Sequence, residues 1–211
     1  MSGLFLEAVS IGVAGRVLVD RLDLAVAPGE VVALMGPSGC GKSSLLAFVG
    51  GSLAPPFSAT GGLVLNGRRL EGLPPEGRRI GILFQDDLLF PHLSVGENLV
   101  FALPRSVRGA ERRARGEAAL AEAGLDGFFD RDPAGLSGGQ RARVAVMRAL
   151  LAAPEALLLD EAFAALDSEL RQSFRAFVFG RARSARLPVV MATHDPADAE
   201  AAAARVVRPW A

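Results

Sequence analysis

A glycine-rich segment between two apolar segments constrains the fold of this chain more than any other feature. Residues 31 to 35 are apolar without alternation, as is typical of a strand covered on both faces. Residues 42 to 49 have the pattern of a helix. The segment between them matches G-x-x-x-x-G-K-[ST], and with the serine that follows it comprises Gly36, Pro37, Ser38, Gly39, Cys40, Gly41, Lys42, Ser43 and Ser44. A strand, a glycine-rich loop and a helix in this order predict a site whose backbone N–H groups and helix N-terminus bind phosphate.

The loop carries the only lysine of the chain, Lys42. All the other basic residues, apart from the two histidines, are arginines. A compact ammonium on a flexible stem can lie along the β- and γ-phosphates, where a planar guanidinium fits poorly. The sequence therefore predicts that the chain binds a nucleoside triphosphate through Lys42 and the surrounding backbone.

The composition of the chain argues against several classes of protein: nucleic-acid binders, membrane-spanning proteins and secreted proteins. The 211 residues suffice for one well-cored unit, and a formal net charge of +0 argues against a nucleic-acid binder that depends on phosphate neutralisation. Charges or Gly/Pro interrupt every apolar stretch before the roughly 20 residues of a spanning helix, and no basic segment precedes the first apolar run. We therefore expect a cytoplasmic protein. The single cysteine, Cys40, excludes an intramolecular disulfide; it is either a bystander in the loop or a point of redox control.

Apolar runs alternate with helical patterns along the chain. Buried strands are predicted at residues 31–35, 80–84, 156–159 and 189–192, and an alternating strand ends at Val26. Residues 52–62 have the Pro/Gly/Ser composition of a loop, and Asn66-Gly67 favours a tight hairpin. Buried strands separated by helices indicate a parallel α/β sheet with polar residues at its carboxyl edge.

Residues 85 to 148 have a different character from the sheet that precedes them. Ser94 and Glu97 predict a capping box, and residues 111–123 predict an amphipathic helix that stops at Gly124. We therefore expect a mostly helical subdomain, residues 85–148, inserted into a single domain. Residues 1–84 and 149–211 then form the nucleotide-binding core.

Polar residues follow the predicted strands where chemistry is expected. Asp160 and Glu161 end an all-apolar strand, so that Ser43 and Asp160 are candidate ligands of Mg²⁺ and Glu161 a candidate general base for an attacking water. The acidic pair could instead cap the next helix. Gln85, the first polar residue after another strand, is a weaker candidate for contacting the water or the metal.

A second glycine-containing turn precedes a predicted helix from about residue 139 to residue 152. It comprises Leu136, Ser137, Gly138, Gly139 and Gln140. Two glycines after a serine allow close backbone approach and provide another anion-binding N-terminus. Taken alone, the same residues favour an ordinary capped helix, because Ser-Gly-Gly occurs in many loops.

With all these motifs in order, the chain resembles the nucleotide-binding subunit of ATP-binding cassette (ABC) transporters over nearly its whole length. The resemblance rests on six motifs: Walker A at 36–43, the Q-loop at Gln85, the signature at 136–140, Walker B at 157–161, the D-loop at 165–167 and the switch histidine His194. It implies an α/β P-loop NTPase fold with a mainly parallel, RecA-like sheet, an N-terminal antiparallel β subdomain and an inserted helical subdomain.

The resemblance also implies a mechanism. Two subunits pack head to tail, so that each ATP with its Mg²⁺ lies between Lys42 and Ser43 of one copy and Ser137 and Gly138 of the other. Glu161 is then the general base, with Gln85 and Lys42 also in the catalytic set. His194 holds the γ-phosphate, and Asp167 of the D-loop connects the two sites.

The chain departs from the family pattern at two positions, which changes what we expect for adenine binding and for the backbone after Glu161. Family members often place an aromatic residue upstream of Walker A to stack on adenine, but residues 11–14 contain none, so Val13 offers only an apolar contact. Ala162 replaces a proline that commonly follows the catalytic glutamate, which is expected to alter local stiffness rather than chemistry.

Residues 86 to 95 contain an apolar patch in a predicted loop, and this patch indicates what the chain could bind. The apolar side chains either pack the helical subdomain against the sheet or bind a short helix of a transmembrane permease. The sequence FPHLSVGEN from Phe90 resembles importers of small cations, anions or polyamines, which implies permease subunits, a solute-binding protein, a second ATPase subunit and a place on the inner face of the cell membrane. The alternative to a transporter subunit is a non-transporting module that signals ATP occupancy to a membrane complex.

Other members of the family are excluded by their architecture. DNA-maintenance ATPases would need a long insertion and translation factors a second cassette, and the sequence has neither.

Overall fold

The computed structural model describes residues 2–164, 166 and 168–210, with only the backbone described at 168 and 169. The strands are β1 (Leu4–Val13), β2 (Arg16–Val26), β3 (Val31–Met35), β4 (Phe57–Leu65), β5 (Arg68–Arg69), β6 (Ile80–Leu83), β7 (Ala156–Asp160), β8 (Val189–Thr193) and β9 (Arg205–Val207). The helices are α1 (Lys42–Gly50), α2 (Pro75–Arg78), α3 (Val95–Phe101), α4 (Ala110–Glu122), α5 (Gly138–Leu151), α6 (Ser168–Ser184) and α7 (Pro196–Ala201). A short 3-10 helix spans Pro133–Gly135.

The chain forms two compact units. The first comprises residues 1–82, 155–161 and 175–211, and the second comprises residues 83–154 and 162–174. The subdomain boundaries expected from the sequence, 1–84 with 149–211 and 85–148, stay a prediction. Among the described residues, no helix has the length and apolar character needed to cross a lipid bilayer.

A five-stranded sheet in the order β6-β7-β8-β3-β9 carries the strands whose ends supply the candidate site. The pairs β3 with β8, β7 with β8 and β3 with β9 are parallel. All five residues of β3 and of β8 are buried, as expected for strands covered on both faces. The predicted α/β fold with a parallel sheet is therefore confirmed.

A second, antiparallel sheet in the order β2-β1-β4-β5 belongs to the same unit. The predicted hairpin at Asn66-Gly67 joins β4 to β5, with Leu65 opposite Arg68 and both turn residues at positive φ. The predicted loop over residues 52–62 is wrong in its second half, because β4 begins at Phe57 and pairs with β1. Long-range pairing there overrides a local composition that favours a loop.

The hydrophobic core of the first unit lies between the two sheets and α1. Leu45, Leu46 and Val49 of α1 are almost fully buried against residues of both sheets, including Leu34 of β3 and Leu63 of β4. Burial of apolar side chains is the main stabilising contribution to such a unit. It holds the start of α1, and therefore the loop before it, in a fixed position.

The second unit is built on α3, α4 and α5. The predicted capping box is confirmed: the Oγ of Ser94 accepts a hydrogen bond from the N–H of Glu97, whose side chain accepts one from the N–H of Ser94. The fully buried Asn98 donates to the carbonyls of residues 90, 93 and 94. The amphipathic helix predicted over residues 111–123 is α4, and a break that includes Pro104 separates it from α3.

Candidate nucleotide-binding site

The glycine-rich loop runs from the end of β3 to the first turn of α1. Gly41 is the N-cap of α1 with φ 111, and Lys42 is the first residue of the helix. The Lys42 side chain is 5% exposed, and its Nζ donates to the carbonyl oxygens of Gly36 at 2.9 Å and Pro37 at 3.1 Å. The ammonium therefore lies across the loop that the sequence assigns to phosphates, next to a helix N-terminus.

Trp210 packs against the start of this loop, a contact that the sequence did not predict. Its Nε1 donates to the carbonyl oxygen of Met35 at 2.6 Å. A Cβ placed on Gly36 would lie 2.1 Å from that Nε1 and 2.9 Å from the Sγ of Cys40. Gly36 is therefore required where the indole ring approaches the backbone. Cys40 is half-buried, and whether it is redox-active stays a prediction.

The end of β7 lies beside the first turn of α1. The Oγ of Ser43 donates to Oδ1 of Asp160 at 2.9 Å. Burial and, to a smaller extent, the neighbouring Glu161 carboxylate raise the pKa of Asp160, while the hydrogen bond from Ser43 and the Lys42 ammonium act in the opposite direction. The net result is a carboxyl with a raised pKa.

These two oxygen ligands fit the requirements of Mg²⁺. The ion prefers oxygen ligands, keeps several waters and is usually bound by one or two protein groups together with substrate phosphates. Within the part of the chain that the structure describes, no group of three or more His, Cys, Asp or Glu residues is arranged to bind a metal. Ser43 and Asp160 could hold a magnesium ion together with the phosphate oxygens of a bound nucleotide.

Glu161 lies between two candidate catalytic side chains. Its Oε1 is 3.8 Å from the Nζ of Lys42, and its Oε2 is 3.6 Å from the Nδ1 of His194. Glu161 has φ 49, a conformation that non-glycine residues adopt rarely and that often occurs at functional sites. The structure therefore brings Lys42, Glu161 and His194 together at the loop, and their catalytic roles stay predictions.

The turn that carries His194 is held by a network of contacts that local sequence patterns do not predict. Arg175 of α6 donates from Nη2 to Oδ2 of Asp195 at 2.8 Å and from Nε to Oδ1 of Asp198 at 2.6 Å. Thr193 donates to the second oxygen of Asp198 and accepts from the N–H of Asp195. Asp198 is 4% exposed, so its charge is paired inside the protein. The network fixes the backbone on both sides of His194.

The glycine-containing turn at residues 136–140 lies in the second unit and begins α5. The Oγ of Ser137 accepts from the N–H of Gln140, and the N–H of Ser137 donates to Oε1 of Gln140, which completes a capping box. A Cβ on Gly139 would lie 2.3 Å from Cδ2 of Leu170, so a larger residue there would require the leucine side chain to move. Leu136 is buried, whereas Ser137 and Gly138 are exposed. The local geometry is that of a capped helix, and the signature role of this turn stays a prediction.

Gln85 and Asp167 were also predicted to belong to the site. Gln85 belongs to the second unit, where it is exposed and borders a cavity of about 300 Å³. Its predicted contact with metal or water stays a prediction. The predicted D-loop residue Asp167 and its neighbour Ala165 lie outside the described residues.

A separate cavity of about 300 Å³ in the first unit adjoins the phosphate loop. Lys42, Ser43 and Glu161 line one part of it, and Val13, Phe57 and residues of β2 line another. A phosphate loop with a lysine, together with the mostly apolar side chains of Val13, Leu18 and Phe57, matches a ligand with a polyphosphate and an organic group. The site therefore defines a nucleoside triphosphate-binding protein of the P-loop class.

Comparison with known proteins identifies the family. The family model described as ABC transporter matches residues 19–164, which is more than half of the chain. The chain is 52% identical over 198 residues to the uncharacterized ABC transporter ATP-binding protein YnjD of Escherichia coli (strain K12), covering 94% of this chain and 91% of the relative. The protein belongs to the ABC transporter family and is its ATP-binding ATPase subunit.

Two longer relatives carry names that specify a solute. The chain is 42% identical to the spermidine/putrescine import ATP-binding protein PotA of Methylococcus capsulatus, covering 92% of this chain and 50% of the relative. It is also 42% identical to the sulfate/thiosulfate import ATP-binding protein CysA of Mycobacterium tuberculosis H37Rv, covering 90% of this chain and 54% of the relative. The chain therefore spans about half the length of these two relatives.

Proposed function

We propose that this chain is the ATP-hydrolysing subunit of an ABC importer for a small solute. It drives translocation by ATP-dependent dimerisation followed by hydrolysis. The observation that carries the proposal is the position of Glu161, 3.8 Å from the Lys42 ammonium and 3.6 Å from the His194 imidazole, at the mouth of the phosphate loop.

Each side chain at the loop has a role in this proposal. Lys42 and the backbone N–H groups of residues 38–43 bind the β- and γ-phosphates. Glu161 accepts a proton from the attacking water as the water oxygen bonds to the γ-phosphorus and the bond to the ADP oxygen breaks. His194, 61% exposed and held by the turn around it, contacts the γ-phosphate.

Ser43 and Asp160 would hold Mg²⁺ in this scheme. The ion would neutralise the charge of the β- and γ-phosphate oxygens. Ser43 would present its hydroxyl oxygen to the ion, and Asp160 would act as an ionised ligand, directly or through water. The hydrogen bond that joins the two side chains keeps both oxygens on the same side of the loop.

The complete site includes a second copy of the chain. Ser137 and Gly138 are exposed at the start of α5, which leaves their N–H groups accessible to the ATP of a partner subunit. Asp167 would connect the two sites, and Gln85 would contact the metal or the attacking water. Transmembrane permease subunits and a solute-binding protein complete the assembly. The ATPase then lies on the cytoplasmic face of the membrane, bound to the permease.

The relatives support import as the direction of transport but not one solute. The printed names of two of them specify import of a polyamine or of sulfate and thiosulfate, although both match this chain at 42% identity. A cation and an anion served by equally similar ATPases indicate that selectivity belongs to other subunits. We therefore assign no solute.

The test uses the complex purified from its native membrane and reconstituted in liposomes. ATP turnover is measured for the chain alone, for the complex and for the complex carrying Glu161→Gln. We expect the complex to exceed the chain alone and Glu161→Gln to lower turnover by about 100-fold or more, because the general base is lost. A turnover near that of the wild type would refute the assignment of Glu161. If turnover depends on Glu161 but stays low when the membrane partner is present, the chain is instead a non-transporting regulatory module.

A further inference from the structure

Three side chains form a row across the antiparallel sheet beside the phosphate loop. Val13 of β1 is the direct partner of Arg16 on β2 and of Phe57 on β4. Directly opposed residues of antiparallel strands project from the same face of the sheet. The row Arg16, Val13 and Phe57 therefore presents a guanidinium, an aliphatic group and an aromatic ring on one face.

The row adjoins the phosphate loop through Leu18. Pairing of β1 with β2 shifts from Ile11 opposite Val19 to Gly12 opposite Val17, so Leu18 is the extra residue of a β-bulge. A Cβ on Gly41 would lie 3.1 Å from the Cβ of Leu18, which places this bulge against the loop. The cavity that contains Lys42 and Ser43 is also lined by all three residues of the row.

The exposure and charge of these side chains fit a flat aromatic ligand. Phe57 is 37% exposed, although it is a large apolar residue. The side chain of Arg16 is exposed and makes no hydrogen bond or ion pair with the side chain or backbone of any residue that the structure describes. Aromatic rings and guanidinium planes are the two protein groups that stack on nucleobases.

We propose that Phe57, with Arg16, binds the base of the nucleotide whose phosphates occupy the glycine-rich loop. This inference rests on the proposed ATP binding at that loop. The segment 11–14 contains no aromatic residue, and Val13 alone offers an aliphatic contact. Phe57 supplies the missing aromatic surface from β4, a different strand, and Arg16 is positioned to cover a second part of the base.

Val17, another exposed apolar residue of the same sheet, provides a matched control for the substitution of Phe57. Val17 of β2 is 51% exposed and pairs with Gly12. It follows Arg16 by one residue, so it projects from the opposite face, and it lines a different cavity with Asp20 and Ser58. Val17→Ala therefore removes exposed apolar surface from this sheet without touching the nucleotide-binding cavity.

The experiment compares two ligands that share phosphates but not a base. Binding of ATP and of inorganic tripolyphosphate is titrated calorimetrically, with Mg²⁺ present, for the wild type, Phe57→Ala, Phe57→Trp, Arg16→Gln and Val17→Ala. Phe57→Ala should raise the Kd for ATP by about 5-fold or more, the usual cost of losing one base–aromatic stack. Its Kd for tripolyphosphate should stay within about 2-fold, since the loop is unchanged.

The other variants sharpen the result. Phe57→Trp should retain ATP affinity, Arg16→Gln should weaken ATP more than tripolyphosphate, and Val17→Ala should change neither ligand. The inference is overturned if Phe57→Ala binds ATP like Val17→Ala, or if it weakens both ligands equally. Thermal unfolding of each variant confirms that the fold is retained. Because the readout is binding, its outcome is independent of the hydrolysis test of Glu161.

Discussion

The hydroxyl of Ser43 donates a hydrogen bond to the carboxylate of Asp160 at 2.9 Å, across 117 positions of sequence. One residue belongs to the first turn of α1 and the other ends β7. The parallel sheet brings these termini to the same edge, where polar side chains from different strands meet. This bond and the ion pair between Lys42 and Glu161 join the phosphate loop to the acidic pair.

Removing the Asp160 charge should stabilise the protein in the absence of metal and nucleotide. Burial raises the pKa of Asp160, so the folded state holds the proton to a higher pH than the unfolded state does. The unfolding free energy of the wild type therefore falls as pH rises from the ordinary value near 3.8 through the raised value. Asp160→Asn lacks this loss, so its melting temperature in EDTA should exceed that of the wild type at pH 7 and approach it at pH 4.

Asp130 provides a control of opposite sign. Hydrogen bonding to Arg113 lowers the pKa of Asp130. Its contribution to stability is present above the ordinary pKa and is lost as pH falls through the lowered value. Asp130→Asn should therefore be slightly less stable than the wild type at pH 7 and equal to it in strong acid. A common pH trend in both variants would contradict the assignment of burial as the cause at Asp160.

Lys42→Ala should weaken ATP binding by about 10- to 100-fold, because a charge-assisted interaction with phosphate contributes on the order of 1.5–3 kcal/mol. Lys42→Arg should not restore the affinity. The lysine side chain is 5% exposed and bonded to two loop carbonyls, which leaves little room for a broader guanidinium. Equilibrium titration with ATP measures both variants, and an unchanged Kd for Lys42→Ala would refute the position of the phosphates.

Trp210→Phe should lower the unfolding free energy by about 1 kcal/mol, because it keeps most of the ring but loses the bond to the carbonyl of Met35. Trp210→Ala should cost more, since the ring packed on Gly36 is also removed. The chain has one tryptophan, so its fluorescence reports on this contact directly. ATP should change the emission of the wild type, and equal stability of all three proteins would show that the contact is unimportant.

Breaking the ion pair between Arg175 and Asp198 should lower the free energy of unfolding. Arg175→Met leaves the buried carboxylate of Asp198 without its cation and should destabilise the protein by about 3–5 kcal/mol. The double variant Arg175→Met, Asp198→Leu removes both charges and should be less destabilised than the sum of the single variants. Urea unfolding measures all three, and additive effects would contradict direct pairing.

The sequence predicted the parts of the site that are contiguous in the chain. The loop at residues 36–44 and the Asp160-Glu161 pair follow apolar strands, and each has a pattern tied to its chemistry. The capping box of Ser94 and Glu97 was equally accessible, because helix caps depend on residues three positions apart. Local patterns of this kind need no knowledge of the fold.

Contacts between distant segments were not predictable from the sequence. Trp210 reaches the loop from the far end of the chain, and Arg175 reaches Asp198 from another element. Phe57 follows two prolines in a segment with loop composition, yet it begins a strand because Val13 is available to pair with it. Such positions depend on strand order and register, which single-sequence patterns do not specify.

The central claim is that two copies of this chain enclose two ATP molecules, each bound to the phosphate loop of one copy and the Ser137 turn of the other. Sedimentation velocity of Glu161→Gln with ATP and Mg²⁺ tests it most directly. We predict a species with twice the mass of the chain and one ATP per copy, which ADP fails to produce. A protein that binds ATP yet keeps the mass of one chain under these conditions would contradict the account.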